Sequence, residues 1–412
     1  MNCGLIGRRL GHSYSCQIHH VLADYDYHLW ELEPKQLEDF LKKRDFTGIN
    51  VTIPYKEQVI PYLDGLSDTA RAIGAVNTVV NRDGALWGDN TDFAGMLALI
   101  RRLGLELSGK KVLILGTGGT SKTARAVAAQ LGAAEIYRVS RSGREAAVTY
   151  SQAVREHSNA DFIINATPCG MYPAVEDCPL ALDSFPRLEG VVDAVYNPLR
   201  SDLVLNARKR GIAAEGGLYM LAAQAAYASA LFRGCQATQE EIDLAYQTVL
   251  RQMENIVLIG MPSSGKSTVG RLLAQHTGKA FVDTDALVEQ AVGMSVPDYF
   301  AVQGESAFRN REREAVAAAA AVGGQVIATG GGVILREENL RALRRCGRLV
   351  FLDRSPDRLT ATADRPLSAD PDALRRRYEE RYDRYRAAAD LRVDGNGSAE
   401  ETAAMIEREW MK

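Results

Sequence analysis

No apolar stretch in the 412 residues approaches the ~20 that a membrane-spanning helix requires, and the longest alanine-rich run, Ala315 to Val322, covers 8. The N-terminus also lacks the basic segment and apolar core of an export signal, since Met1-Asn2-Cys3-Gly4 opens directly into folding material. Together these absences predict a cytoplasmic protein. There is no excess of charge of one sign: 49 Lys and Arg against 52 Asp and Glu leave a formal −3. Such a chain has no global positive field to hold a nucleic-acid backbone or an anionic membrane, so the expected partners are small molecules or proteins. The six cysteines are scattered without a Cys-x-x-Cys pair, which excludes a disulfide framework and a cysteine-rich zinc site and leaves reduced thiols.

What is present is the composition of an ordinary folded protein, 46% hydrophobic and 25% charged. At ~150 residues per domain the length predicts two or three domains. Short aliphatic runs that end in glycine or polar residues and lead into helical periodicity read as buried parallel strands with crossover helices. The clearest are Lys111–Leu115, Phe162–Asn165, Val191–Val195, Ile256–Ile259, Val326–Ala328 and Leu349–Leu352, and two doubly wound units fit them. The break falls near Glu254. Thr238-Gln239-Glu240-Glu241 is a capping-box pattern opening a helix that runs to about Met253, and Asn255 starts a new strand with no Gly/Ser/Pro linker between.

In the second half, Gly260-Met261-Pro262-Ser263-Ser264-Gly265-Lys266-Ser267 matches G-x-x-x-x-G-K-[ST] between a strand and an apolar-periodic segment. Glycines let backbone N–H groups curl around phosphates, Lys266 reaches the β- and γ-phosphates, and the Ser267 hydroxyl can ligate Mg²⁺. Ser263, Ser264, Gly265, Lys266, Ser267 and Thr268 form the expected ATP-binding set. Phe281-Val282-Asp283-Thr284-Asp285 puts two carboxylates at a strand end; they read either as a solvated strand terminus or as a metal ligand (Asp283) and a holder of a substrate hydroxyl (Asp285). Gly304-Glu305-Ser306-Ala307-Phe308-Arg309-Asn310-Arg311-Glu312, Thr329-Gly330-Gly331-Gly332, Arg365-Pro366-Leu367 and Arg381-Tyr382-Asp383-Arg384-Tyr385 follow. In this order the set resembles shikimate kinase over residues 254 to 412.

That resemblance implies a P-loop, nucleoside-monophosphate-kinase-like parallel-sheet domain using Mg·ATP. It implies that Arg309 and Arg381 clamp the substrate carboxylate, a task suited to forked guanidinium donors. Gly330, Gly331 and Gly332 would form the backbone wall against the substrate ring, Asp285 would take the 3-hydroxyl, and Glu312 would fix Arg309. Arg365 would be the lid arginine that closes on the transferring phosphate. The stretch Leu359 to Asp364 lacks the arginine expected near the adenine.

In the first half, Val112 to Ser121 is strand, glycine turn, then helix, with Gly116, Thr117, Gly118, Gly119 and Thr120 forming a dinucleotide loop and Ser121 replacing the third glycine. The next strand, Ile136 to Val139, ends in Ser140-Arg141-Ser142 rather than in an acid. A cation there suits a 2′-phosphate and favours NADP over NAD, the other reading being a solvated turn arginine. Around this fold stand Gly11-His12-Ser13-Tyr14-Ser15, Asn50-Val51-Thr52-Ile53-Pro54-Tyr55-Lys56-Glu57, Gly74-Ala75-Val76-Asn77-Thr78, Gly88-Asp89-Asn90-Thr91-Asp92, Asn165 to Met171, Tyr196-Asn197-Pro198-Leu199 and Gly216 to Gln224. Their order resembles shikimate dehydrogenase over about residues 1 to 250.

This second resemblance implies that Lys56 is the catalytic lysine and Asp92 its partner, each near a substrate hydroxyl. Ser13 and Ser15 would meet the substrate carboxylate, Thr52, Asn77, Tyr196 and Gln224 the hydroxylated ring, and Gly217 the nicotinamide. Cys16 stands where the family usually has proline. His12, His19 and His20 lie close together but lack carboxylate partners, so structural or solvent-facing roles are expected rather than a metal site.

The expectation is therefore an α/β chain of shikimate-dehydrogenase-like substrate domain (about 1–95 plus 218–253), Rossmann NADP domain (about 96–217) and kinase domain (254–412). It would reduce 3-dehydroshikimate to shikimate with NADPH, then phosphorylate the 3-hydroxyl with ATP and Mg²⁺. Two alternatives stand beside it: a first half that oxidises quinate with NAD, or one half acting as a catalytically silent scaffold.

Overall fold

The structure, a computed structural model, describes residues 1–11, 13–144, 146–359 and 371–411. The chain forms two compact units, Met1–Arg251 and Gln252–Lys412.

The first unit holds two six-stranded sheets. In one, Lys111–Leu115 pairs in parallel with Glu135–Ser140 on one side and Phe162–Asn165 on the other, and Gly190–Asp193, Ala213–Glu215 and Val148–Thr149 complete it. Val112 to Leu115 and Phe162 to Ile164 are almost wholly buried, as a parallel sheet covered on both faces requires. Chain order reverses between Lys111–Leu115 and Phe162–Asn165, which opens a crevice at the carboxyl ends of the strands. The strand expected over Val191–Val195 instead spans Gly190–Asp193. It stops because the Asp193 carboxylate accepts the Val195 N–H at 3.0 Å and folds the chain out of the ladder.

The other sheet departs from a doubly wound pattern. Asp26–Glu31, Asn2–Gly7 and Gly48–Val51 are parallel, but Thr78–Arg82 and Ala85–Asp89 run antiparallel as a hairpin. Asp83 and Gly84 both take positive φ, 52° and 88°, the two-residue turn whose twist matches the strands it joins.

Helix Leu218–Arg233 returns to pack on helix Thr91–Arg102. The approach is close: a Cβ on Gly95 would lie 2.6 Å from the Met220 carbonyl and 3.1 Å from Gln224 Cβ. Glycine at 95 thus lets the start of one helix and the middle of the other share a wall. The capping box forms as read, Thr238 N–H donating to Glu241 Oε2 at 3.1 Å and Glu241 N–H to Thr238 Oγ1 at 3.2 Å, at the head of helix Gln239–Met253.

The second unit is a five-stranded, all-parallel sheet in the order Ala280–Asp283, Gln325–Ala328, Asn255–Ile259, Gly347–Asp353, Leu391–Asp394. Asn255–Ile259 is central and fully buried, so the loop that follows it emerges in the middle of the carboxyl edge. Ala315 to Ala320 of the alanine run close helix Val296–Ala320, which is broken at Gly304, where φ is 77°. No described helix is long and apolar enough to cross a membrane.

Candidate active sites

A cavity of about 500 Å³ opens in the first unit. Every residue expected to touch the substrate there lines it, namely Ser13, Ser15, Thr52, Lys56, Asn77, Asp92, Tyr196 and Gln224, as does Gly217, expected at the nicotinamide. Lys56 comes from the loop after Gly48–Val51 and Asp92 from the first turn of helix Thr91–Arg102, where Asn90 caps by accepting the Phe93 N–H at 3.3 Å. Lys56 Nζ donates to Asp92 Oδ2 at 2.6 Å, with side-chain exposures of 26% and 16%, so the pair is partly desolvated yet open to the cavity. Ser13 and Ser15 face one another at 3.0 Å, and Ser13 Oγ also accepts the Ser15 N–H at 3.2 Å. Asn77 is locked by Thr91, accepting its N–H at 2.7 Å and donating to its Oγ1 at 3.1 Å. Gln224 Nε2 donates to the Leu221 carbonyl at 3.0 Å. Burial raises the Tyr196 hydroxyl above its ordinary pKa, which keeps it a neutral donor. A Cβ on Gly217 would lie 2.7 Å from the Ala194 carbonyl carbon, so the cavity wall admits only glycine there.

The dinucleotide loop borders the same space through Thr120. Gly116 has φ 108°, whereas a Cβ on Gly118 or Gly119 would meet nothing within 4 Å, leaving that face of the loop open. Ser121, in place of a third glycine, is fully buried and donates to the Gly116 carbonyl at 2.7 Å, tying helix to strand. Ser140, Arg141 and Ser142 follow the neighbouring strand; Ser140 Oγ accepts the Gly143 N–H at 3.0 Å, and Arg141 and Ser142 are exposed.

Two cavity residues with polar side chains, Asn50 and Arg9, carried no assignment from sequence. Asn50 lies inside a quoted block, yet nothing in its type separated it from a strand residue; here it accepts from Tyr27 Oη at 2.7 Å and donates to Thr78 Oγ1 at 3.2 Å. Arg9 gave no signal beyond being a second consecutive arginine. Of the three histidines, His12 lies outside the described residues, His20 is exposed, and His19 is buried, stacked on Tyr27 at 3.9 Å and 2.5 Å from Tyr25 Oη. Burial pushes the His19 imidazole down to about 3, so it is a neutral packing element.

In the second unit the loop after Asn255–Ile259 curls through Gly260, Ser263 and Gly265, whose φ values are 150°, 61° and 91°. Lys266 is buried across it, donating to the Gly260 and Met261 carbonyls at 3.0 and 2.7 Å. Ser264 is buried with it, and Thr268 is exposed on the first turn of helix Lys266–Thr277. Ser267 Oγ donates to Asp283 Oδ2 at 2.6 Å, and Asp283 Oδ1 accepts the Asp285 N–H at 3.0 Å. The serine hydroxyl and the carboxylate are hard oxygen donors side by side at a phosphate loop, a set that fits Mg²⁺.

The glycine run is where the remaining groups meet. A Cβ on Gly330 would sit 2.6 Å from Asp285 Oδ1 and 3.1 Å from Glu312 Oε1; one on Gly332 would lie 2.5 Å from Arg309 Cζ. Arg309 is buried and held by Glu312 at 2.9 and 3.0 Å and by Glu305 at 3.3 Å. Arg381 donates to the Gly331 carbonyl at 3.0 Å, as does Tyr385 Oη at 2.6 Å. Arg309, Arg381 and Asp285 are thereby gathered about three residues of backbone. Arg365 and the rest of Thr360 to Pro366 lie outside the described residues.

Sequence reading missed the end of strand Gly347–Asp353. Arg354 Nη1 lies 3.7 Å from where a Cβ on Gly265 would be, and its Nε donates to the Arg358 carbonyl at 3.1 Å. The signal available was position, since ligands of open α/β sheets lie at carboxyl strand ends. Asp353 beside it is buried and accepts from Arg392 at 2.7 and 2.8 Å, Tyr378 Oη at 3.1 Å and Tyr382 Oη at 3.4 Å. The two tyrosines belong to helix Pro371–Ala388, which carries Arg381.

Fold and sites define a dinucleotide-dependent oxidoreductase followed by a phosphate-loop kinase. The model of the shikimate dehydrogenase substrate binding domain matches residues 5–79, and that of shikimate kinase matches residues 262–410. An NADP⁺ shikimate dehydrogenase of Clostridium perfringens is 34% identical over 259 residues, covering 58% of this chain and 96% of that protein. One of Halothermothrix orenii is 38% identical over 260 residues, covering 56% and 90%. Among solved structures, a chorismate mutase/shikimate 5-dehydrogenase fusion protein of Clostridium acetobutylicum is 31% identical with a TM-score of 0.57, covering 60% of this chain and 96% of that one. The Thermus thermophilus shikimate 5-dehydrogenase in complex with NADP(H) and shikimate is 29% identical with a TM-score of 0.53, covering 60% and 98%. The chain belongs to the shikimate dehydrogenase family over its first unit and carries a shikimate kinase domain in its second.

Proposed function

We propose that this chain carries two consecutive reactions: NADPH-dependent reduction of 3-dehydroshikimate to shikimate in residues 1–253, and ATP-dependent phosphorylation of the shikimate 3-hydroxyl in residues 254–412. Within the first part, about 1–95 plus 218–253 bind substrate and about 96–217 bind NADP. The observation that carries the reading is the single cavity of about 500 Å³ in which every substrate-binding residue of the first reaction and Thr120 of the dinucleotide loop meet.

NADPH, when bound, supplies the hydride. Lys56 gives a proton to the carbonyl oxygen as charge develops on it, and Asp92, at 2.6 Å, orients the ammonium and takes a neighbouring hydroxyl. Ser13 and Ser15 donate to the carboxylate, while Thr52, Asn77, Tyr196 and Gln224 satisfy the ring hydroxyls, any of which would cost ~1–3 kcal/mol if buried unpaired. Arg141, with Ser140 and Ser142, meets the 2′-phosphate.

In the kinase, Mg²⁺ held by Ser267 and Asp283 would neutralise phosphate charge. Lys266 leaves its two carbonyls for the β- and γ-phosphates, and Ser263, Ser264, Gly265 and Thr268 supply the cradle. Asp285 accepts the 3-hydroxyl proton, Arg309 and Arg381 hold the carboxylate on the glycine run, and Arg365 closes on the transferring group. Arg354 takes the nucleotide side of the loop, the place for which no arginine stood in Leu359 to Asp364. The setting is the cytoplasm.

Incubation of the purified chain with 3-dehydroshikimate, NADPH and Mg·ATP should yield shikimate 3-phosphate by mass. Lys56→Ala should abolish NADPH oxidation and spare kinase turnover, and Lys266→Ala should do the reverse. Loss of both activities from either change in a folded protein overturns the two-site reading. If the first unit instead oxidises quinate with NAD, Arg141→Asp will leave cofactor preference unaltered.

A further inference from the structure

The charged groups that line the cavity of the first unit do not cancel. Among the described residues they are Lys56, Asp92 and Arg9. Lys56 and Asp92 neutralise each other at 2.6 Å, which leaves the wall with the charge of Arg9. The neighbouring Arg8 is accounted for by Glu33 at 3.4 Å, whereas among the described residues no carboxylate pairs with Arg9. Arg9 follows strand Asn2–Gly7, four positions before Ser13, and Ser13 and Ser15 line the same cavity with their hydroxyls bonded to each other. Two hydroxyls can orient a carboxylate, but they cannot balance its charge, and the peptide N–H groups nearby are dipoles only. A guanidinium presents a planar fork matched to two carboxylate oxygens and stays ionised at any working pH.

We propose that Arg9 is a specificity-determining residue of the dehydrogenase reaction: its guanidinium supplies the one uncompensated positive charge that the described residues bring to the cavity and meets the substrate carboxylate beside Ser13 and Ser15. This rests on the reading of the substrate as a hydroxylated carboxylic acid. Arg9 is exposed, so its attraction acts at the cavity mouth, is screened by salt, and weighs on capture of the acid more than on hydride transfer.

The test is steady-state oxidation by the full-length chain with NADP⁺, using shikimate and its methyl ester as paired probes. For Arg9→Gln, KM for shikimate should rise about tenfold with kcat kept within about twofold, while KM for the ester stays where it was. The preference of the native chain for acid over ester should shrink by the same factor, and the fall of kcat/KM with rising ionic strength should flatten. Arg9→Lys should recover part of the loss, since it restores charge without the fork. Kinase turnover in the same preparation reports that the chain is folded. An equal rise in KM for acid and ester, or no change in either, overturns the proposal. Failure of the native chain to oxidise shikimate at all would instead overturn the reading on which it rests.

Discussion

Gly332→Ala isolates one contact in the kinase. The backbone at Gly332 has φ −100° and ψ −2°, where alanine is at ease, so the substitution carries no conformational penalty of its own. Its methyl would lie 2.5 Å from Arg309 Cζ, 2.6 Å from Nη2 and closer still to Nη1, against the 3.4 Å at which ordinary contact begins, so the guanidinium must retreat by at least the 0.9 Å that separates 3.4 from 2.5. It cannot do so freely, because Glu312 and Glu305 hold it at 2.9–3.3 Å and only 9% of the side chain is exposed. A displacement of ~1 Å in a positioning group costs ~10²-fold, or about 3 kcal/mol of transition-state stabilisation. A coupled kinase assay should show kcat/KM for shikimate down about 100-fold with KM for ATP unchanged. The NADP-linked rate of the same sample should match the native chain. A variant whose KM for shikimate stays within threefold of native would mean that Arg309 does not grip the acid.

Two further outcomes follow from the first unit. Gly118→Ala adds a methyl that touches nothing within 4 Å at an ordinary φ of −74°, so thermal stability should hold while KM for NADP⁺ rises at least tenfold; an unaltered KM would take the pyrophosphate away from this loop. His19, buried with its imidazole held down to about 3 against 6.5 unfolded, contributes stability that is complete above pH 6.5 and is lost as pH falls toward 3. The loss is on the order of 5 kcal/mol. In His19→Phe the acid slope of unfolding free energy between pH 6.5 and 3 should lose this contribution and become shallower, and an unchanged slope would place the titrating group elsewhere.

Most of the parallel sheets was legible because strands buried on both faces write themselves as unbroken aliphatic runs: Lys111–Leu115, Phe162–Asn165 and the Ile256–Ile259 core of its strand coincide with their runs. The mixed sheet of residues 2–89 was not. Its edge strand Asp26–Glu31 has no buried residue, and Gly65–Leu66 is two residues long, so neither carries a period to detect. Candidate site residues were legible where chemistry restricts the residue type, as in the phosphate loop or the glycine run. Asn50 and Arg354 escaped because one looks like any polar strand residue and the other like any arginine after a strand; only tertiary placement separates them.

The Asp353 carboxylate has a consequence beyond its own bonds. The Leu352 carbonyl lies 2.8 Å from where a Cβ on Gly260 would be, and Arg354 stands beside Gly265, so the residues on either side of Asp353 abut the phosphate loop. Through Tyr378 and Tyr382 the same side chain tethers the helix that bears Arg381. On the function proposed above, ATP and the organic acid would be moored to a common bollard, and a lineage that retuned one berth by changing this strand end would find the other retuned with it.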